Sequence, residues 1–409
     1  MKFRNADPRL ITILLIVFAQ FVGASMVLPV LPLYARRHFG MEPEAITLLV
    51  SSFFAAQFLA GPTLGRLSDN YGRLPVLIIS QIGTVISFLM LAFAGAPWVL
   101  FASRILDGIT GGNIIVAQAY ITDVMPREKR TEALGLIFAA LGLGFVFGPA
   151  LGGVFSALFN EQAPFLIAAV GTFVPLVLTY TTLDETLTPE QREQNRTKGR
   201  RGLAVGEVLR NKELLLILLI AFIGQFGLGV VQSTFALYGE AVLFAGQSED
   251  MVNLGVGLLL GMIGVGQLFT QLYLLRRMLK RYDESLLVIL GALLRGLAMF
   301  SFVVITSPWL GAPTALVFAT GTGLMMPPLQ SLSTDTVSDA LRGGVLGWYQ
   351  SSISLAIIFS TALAGVLFSI TPQTPYLLGG VLFMVTLIPA FLLVRRHRPV
   401  SAVPTAASD

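Results

Sequence analysis

Apolar residues in this chain run together in long blocks, and the blocks recur from one end to the other. Largely apolar runs fall at roughly 10–34, 45–65, 74–95, 97–122, 132–157, 164–183, 213–243, 251–275, 285–305, 308–334, 343–369 and 374–394. Each is close to or beyond the ~18–20 residues a helix needs to cross hydrocarbon. Backbone in hydrocarbon must satisfy its own hydrogen bonds, which a helix does and an open strand does not. The pattern therefore predicts twelve membrane-spanning helices. The number is even, so both termini fall on one side.

The polar intervals orient the spans and divide the chain. Of 27 lysines and arginines, 23 lie in the termini and the even-to-odd loops, two (Arg36 and Arg37) lie in the opposite loops, and two lie inside spans. Positive charge stays on the cytoplasmic side, which predicts cytoplasmic termini and a multi-pass protein of the cytoplasmic (inner) membrane. The apolar run that follows the first few residues is longer than a signal-peptide core and is read as an uncleaved first span. The one long polar stretch, 184–212, is basic and reads as a membrane-surface linker. It separates a six-helix bundle at 1–183 from a second at 213–395, with a cytoplasmic tail at 396–409.

The two halves echo one another. A shift of 212 residues lays Leu134-Gly135 on Leu346-Gly347, Phe147 on Phe359 and Gly153-Val154 on Gly365-Val366, so the fifth span corresponds to the eleventh. A shift of 210 lays Gln57 on Gln267 and Arg66 on Arg276, pairing the second span with the eighth. Parallel six-span repeats of this kind build secondary transporters with a central site between the halves.

Composition narrows the chemistry. The chain is 55% hydrophobic and 12% charged, with a mean hydropathy of +0.78, which excludes a soluble domain. There is no cysteine, and His38 and His397 sit outside the apolar runs, so no metal or other cofactor is expected. No H-E-x-x-H, no G-x-S-x-G and no paired intramembrane aspartates are present, and an enzyme is not expected. The net charge of +4 is explained by anionic headgroups without nucleic acid. The expected partners are protons, a small molecule and the lipid bilayer, and the expected form is a monomer.

Three stretches carry the motifs. The fifth span holds Gly135, Gly144, Gly148, Pro149, Gly152 and Gly153. At ~100° per residue Gly135, Gly142, Pro149 and Gly153 share one face, while Gly144, Gly148 and Gly152 lie nearly opposite. Glycine is a poor helix former, so two such stripes predict close backbone approach on both sides. The turn after the second span carries Gly65, Arg66, Asp69, Gly72 and Arg73, where glycines permit a tight turn and a carboxylate among arginines pairs internally or meets a helix N-terminus. In the fourth span Arg104 and Asp107 lie three residues apart on nearly one face, followed by Gly108. A charge at mid-membrane costs ~2.5–3.5 kcal/mol on insertion scales, so Arg104 needs a partner or a wet cavity. The pair reads either as a static intrahelical ion pair or as a proton-handling site.

These residues resemble the motifs of the major facilitator superfamily. The fifth-span glycines fill every position of the antiporter motif of its exporters. Gly65, Asp69, Gly72 and Arg73 match its cytoplasmic loop motif, and Arg104 with Gly108 resembles the fourth-helix arginine motif of its proton-driven members. The LDGITGG, AYITD, MPPLQ and RGGVLG stretches look like the tetracycline exporters, so the resemblance covers most of the chain. It implies the major facilitator fold: all-α, with twelve transmembrane helices in two pseudo-symmetric six-helix bundles. It also implies that Asp69 latches onto the start of the eleventh span, Arg342-Gly343-Gly344, in an outward-open state, and that Arg104 takes part in proton coupling. The chain departs from those exporters where they hold carboxylates within spans, offering Gln20, Ser87 and Arg295 instead. Proton binding then falls to Asp107, or to Glu240 near the outer end of the seventh span.

The candidate cavity residues are Gln20, Gln118, Gln225, Gln232, Arg295 and Gln330, with Gln267 and Gln271 as further lining candidates. An unpaired amide in hydrocarbon is costly, so each faces either a neighbouring helix or a cavity, and periodicity leaves that open. The expected function is export of an amphipathic, weakly basic or zwitterionic molecule in exchange for protons by alternating access. The alternative is a lipid, sugar or metabolite exporter or flippase of the same fold that is not strictly proton-coupled.

Overall fold

The computed structural model describes residues 8–111, 113–126, 130–197, 205–337 and 342–396, and all regular structure among them is helical. The first half contains α1 (Pro8–Phe39), α2 (Pro43–Tyr71), α3 (Arg73–Ala92), α4 (Pro97–Thr110), α5 (Asn113–Val124), α6 (Arg130–Leu158) and α7 (Ala163–Thr182). Two short helices, α8 (Pro189–Thr197) and α9 (Val205–Arg210), occupy the linker. The second half contains α10 (Lys212–Tyr238), α11 (Glu249–Phe269), α12 (Leu275–Met278), α13 (Glu284–Val304), α14 (Pro308–Asp335), α15 (Arg342–Ile370) and α16 (Thr374–Arg396). A π turn, Gly239–Leu243, extends α10, and another, Thr270–Leu274, joins α11 to α12.

Eleven of these segments are long and apolar enough to cross a membrane by themselves. The fourth apolar run, expected as one helix, is divided into α4 and α5 around Gly111, whose amide donates to the Asp107 carbonyl at 2.6 Å. Glycine inside a helix costs ~1 kcal/mol relative to alanine, and Gly111 is followed by a second glycine, so this is where the run yields. Counting α4 and α5 as one interrupted crossing gives twelve.

The helix contacts reproduce the repeat. Within the first half α1 lies on α6 and α7, and α4 lies on α2 and α3; within the second α10 lies on α15 and α16, and α13 on α14 and α16. Between halves the main contacts are α6 with α11 and α2 with α15, joined by α1 with α10. The repeat equates the second span with the eighth and the fifth with the eleventh, so the first two contacts are images of each other. Large apolar side chains cover the outside, Trp309 being 86% exposed, as hydrocarbon rather than water demands. The chain is a multi-pass membrane protein.

Candidate functional site

The glycines of α6 bring two partners into backbone contact. On one face a Cβ added at Gly144 would stand 2.9 Å from the Phe21 Cβ, one at Gly148 would strike the Ser25 hydroxyl, and one at Gly152 would stand 2.6 Å from the Met26 carbonyl, all on α1. Ser25 seals this seam by donating to the Gly144 carbonyl at 2.9 Å. On the other face a Cβ at Gly153 would meet the Asn253 carbonyl at 2.5 Å, and one at Gly257 of α11 would meet the Pro149 carbonyl at 2.6 Å. α6 thus has one face against its own half and the other against the opposite half. The surroundings of Gly135 lie outside the described residues.

Arg104 and Asp107 are both buried in α4 and form an ion pair at 3.2 Å. Serines fix the helix that carries them: Ser87 of α3 donates to the Ser103 carbonyl at 2.9 Å, and Ser103 returns a bond to the Ser87 carbonyl at 3.0 Å. Arg104 also reaches the Ser87 hydroxyl at 3.4 Å and stands 5.7 Å from the centre of the Phe53 ring. Gly108 brings α4 onto α2, where a Cβ would stand 2.7 Å from that of Ala56. The ion pair therefore sits on a rigid α2–α3–α4 corner. One Arg104 nitrogen, Nε, has no hydrogen-bond partner among the described residues.

That corner forms one wall of a cavity of about 250 Å³, lined by Gln20, Ser25, Phe53, Gln57, Thr84, Arg104 and Asp107 of the first half and reached from the second half by Gln232. Gln20 is 7% exposed, and neither its amide nitrogen nor its amide oxygen has a partner among the described residues; the Gln232 amide oxygen is likewise unpartnered. Gln118, Gln225, Gln267, Gln271 and Gln330 do not line this cavity. Arg295 does not either: it is fully buried in the core of the second half, between the rings of Phe383 at 4.5 Å and Phe318 at 4.9 Å, and donates to the Gly224 carbonyl at 2.5 Å. Gln57 and Thr84 line the cavity without any pattern in the sequence that marks them for it. In the sequence Gln57 stands out only as the repeat match of Gln267.

In the turn after α2, Asp69 pairs with Arg73 at 2.6 Å, and Arg73 reaches on to Asp123 at 2.9 Å. Gly72 has φ +115°, a conformation side chains avoid, and a Cβ there would collide with Glu185. Glu185, from the linker, accepts from the amides of Arg73 at 3.0 Å and Leu74 at 3.1 Å, so it caps the N-terminus of α3. Arg66 bonds back to the Pro62 carbonyl at 3.3 Å, and Gly65 faces open space. The side chains at the start of α15, where a latch would fall, lie outside the described residues.

At the end away from the termini the halves are strapped together by charge. Arg37 of α1 pairs with Glu161 at 2.6 Å in its own half and with Glu240 at 2.8 Å in the other, and donates to the Asn253 side chain at 3.1 Å. Arg36 and Glu249 stand at the edge, 3.9 Å from Glu240 and 3.8 Å from Arg37 respectively. Burial pushes the Glu161 carboxyl up, against the pull of Arg37. Glu240 is thus placed in this strap rather than in the cavity, because the π turn beyond α10 carries it past the apolar core. Arg37→Ala is expected to loosen the closure. With cysteines at Glu44 and Ser369, whose side chains meet across α2 and α15, cross-linking should fall severalfold in the variant. Unchanged cross-linking would assign the closure to helix packing alone.

The Major Facilitator Superfamily model matches residues 13–253 and 246–409. The chain is 28% identical to the class H tetracycline resistance protein of Pasteurella multocida over 407 residues, covering 98% of this chain and 100% of that protein. It is 25% identical to multidrug resistance protein 2 of Bacillus subtilis (strain 168), covering 95% and 96% respectively. Among solved structures, a POT family transporter in complex with 5-aminolevulinic acid superposes with a TM-score of 0.80 at 13% identity, covering 96% of this chain and 97% of that one. A twelve-crossing repeat, a cavity between its halves and a family match over almost the whole chain agree: this protein is a transporter of the Major Facilitator Superfamily.

Proposed function

We propose that the protein exports an amphipathic small molecule from the cytoplasm in exchange for protons, with both termini cytoplasmic in the inner membrane. The observation that carries this is the buried Arg104–Asp107 pair, which lines the cavity between the halves. An ion pair in a low-dielectric site survives only while its partners compensate each other, so anything that draws Arg104 away favours protonation of Asp107. Proton loading and substrate loading then compete for one place. The tetracycline and multidrug resistance relatives support the direction of transport and the kind of cargo.

The halves, 1–183 and 213–395, rock about the α6–α11 and α2–α15 contacts in this reading. The Arg37 strap closes the outer end in the form described here, and Asp69 latches the cytoplasmic end in the other. The protein acts as a monomer, since each chain holds a complete cavity.

The test is proton uptake by proteoliposomes when substrate is added, followed with an internal pH dye. Uptake that scales with substrate flux supports exchange. Flux without any pH response would favour the uncoupled lipid, sugar or metabolite exporter.

A further inference from the structure

We infer that the cavity selects its cargo by charge, accepting uncharged or anionic molecules that carry a hydrogen-bonding edge and excluding permanent cations. The inference rests on the export reading and concerns the same cavity.

Among the described lining residues the formal charges are those of Arg104 and Asp107, 3.2 Å apart. With Asp107 ionised the wall is neutral. With Asp107 protonated Arg104 remains, because a guanidinium keeps its proton, and the wall carries +1. In neither state is it negative. Outside the cavity, in the core of the second half, Arg295 is a further fully buried guanidinium with no carboxylate within ion-pair reach among the described residues, held by two aromatic faces, a backbone carbonyl and a methionine sulfur. The fixed charge around the site is therefore zero or positive throughout a cycle. A cation stripped of water would meet no net compensating charge, and in a low-dielectric site that penalty is severe. A weak base passes only as its neutral form.

Gln20 supplies the complementary preference. Its amide is buried at the cavity wall with donor and acceptor both unused among the described residues, and the Gln232 oxygen, unused there likewise, faces in from the other half. A molecule with an adjacent donor and acceptor, such as a carboxamide or an enolised dicarbonyl, satisfies both ends of Gln20 and removes the cost of leaving them dry. Phe21, Phe53, Phe54 and Phe145 offer ring faces to a flat body beside it. The ring faces also attract a cation, but more weakly than the unpaired carboxylate that the wall lacks, so the net charge still sets the order.

Three probes of one shape test the rule: tetraphenylphosphonium (cation), triphenylphosphine oxide (neutral acceptor) and triphenylacetate (anion). Their equilibrium binding to the purified full-length protein in detergent is read by thermophoresis, which removes the membrane potential. The oxide and the acetate are expected to bind at least ~10-fold tighter than the phosphonium. Gln20→Glu should invert the order by placing a carboxylate in the wall, and Gln232→Glu should do the same from the opposite half should the first variant fail to fold. Phosphonium binding as tight as the oxide would overturn the charge rule and leave the proton-exchange reading to its own test. The expected ranking without inversion in either glutamate variant would show that the preference arises elsewhere, and overturn the assignment to this cavity. Failure of all three to bind would overturn both the rule and the cavity as the binding site.

Discussion

Gly148→Leu is expected to abolish transport while the protein still reaches the membrane. A Cβ at this position already collides with the Ser25 hydroxyl and stands 2.7 Å from the Val22 carbonyl, so the obstruction includes backbone of α1, which has no rotamer to retreat to. Overpacking a filled interior costs ~1–3 kcal/mol when side chains can yield, and more when backbone must move. α1 must therefore separate from α6, breaking the Ser25 bond to the Gly144 carbonyl and displacing Gln20, Phe21 and Ser25 from the cavity wall. The same separation misaligns the other face of α6, where Gly153 meets Asn253 and Gly257. Gly171→Leu is the matched control, because nothing stands within 4 Å of a Cβ at Gly171, and it should transport within about twofold of the unaltered protein. The measurement is efflux from energised cells, normalised to folded protein by size-exclusion chromatography. Normal efflux by Gly148→Leu would show that the stripe packs α1 and α6 without any part in the cycle.

The glycine stripes show what sequence makes legible. Their spacing gives two faces, and α6 does present two, because helix periodicity is local and survives whatever surrounds it. The partners, α1 and α11, are not written in that spacing. The amides show the opposite case: Gln20 and Gln232 reach the cavity while Gln118, Gln225 and Gln330 do not. All sit in apolar helices, and only the neighbouring helix decides which way an amide looks. Arg295 is the same problem at full charge, since a guanidinium can be held by aromatic faces as well as by an acid. The Glu185 cap on α3 and the Arg37 strap are not legible in the sequence because their members lie far apart in the chain, at 112 and 203 residues for the bonds Arg73–Glu185 and Arg37–Glu240. The break at Gly111, inside a run that the apolar pattern predicts as one span, is hidden for a different reason: glycine inside an apolar run also serves helix packing.

Asp107→Asn is expected to remove uphill transport and leave downhill flux. The side chains have the same shape, so the cavity keeps its volume, but asparagine neither carries nor releases a proton. An exchanger that moves one proton per cargo molecule gains ~1.4 kcal/mol per unit of pH difference, which sustains about a tenfold concentration ratio. In the variant that ratio should collapse to one at any imposed pH difference. The substitution also leaves Arg104 buried without its counter-ion, and breaking a buried pair from one side costs ~3–5 kcal/mol. Lost stability alone would lower transport, so the decisive protein is the double variant Arg104→Gln with Asp107→Asn. It removes both charges together, and its thermal stability should recover toward the unaltered protein while uphill transport stays absent. The concentration ratio across proteoliposome membranes, measured with the pH difference set in steps, separates the cases. If the double variant regains a pH-driven gradient, Asp107 does not carry the transported proton, and the carboxylates of the Arg37 strap, Glu161 and Glu240, become the groups through which protons enter.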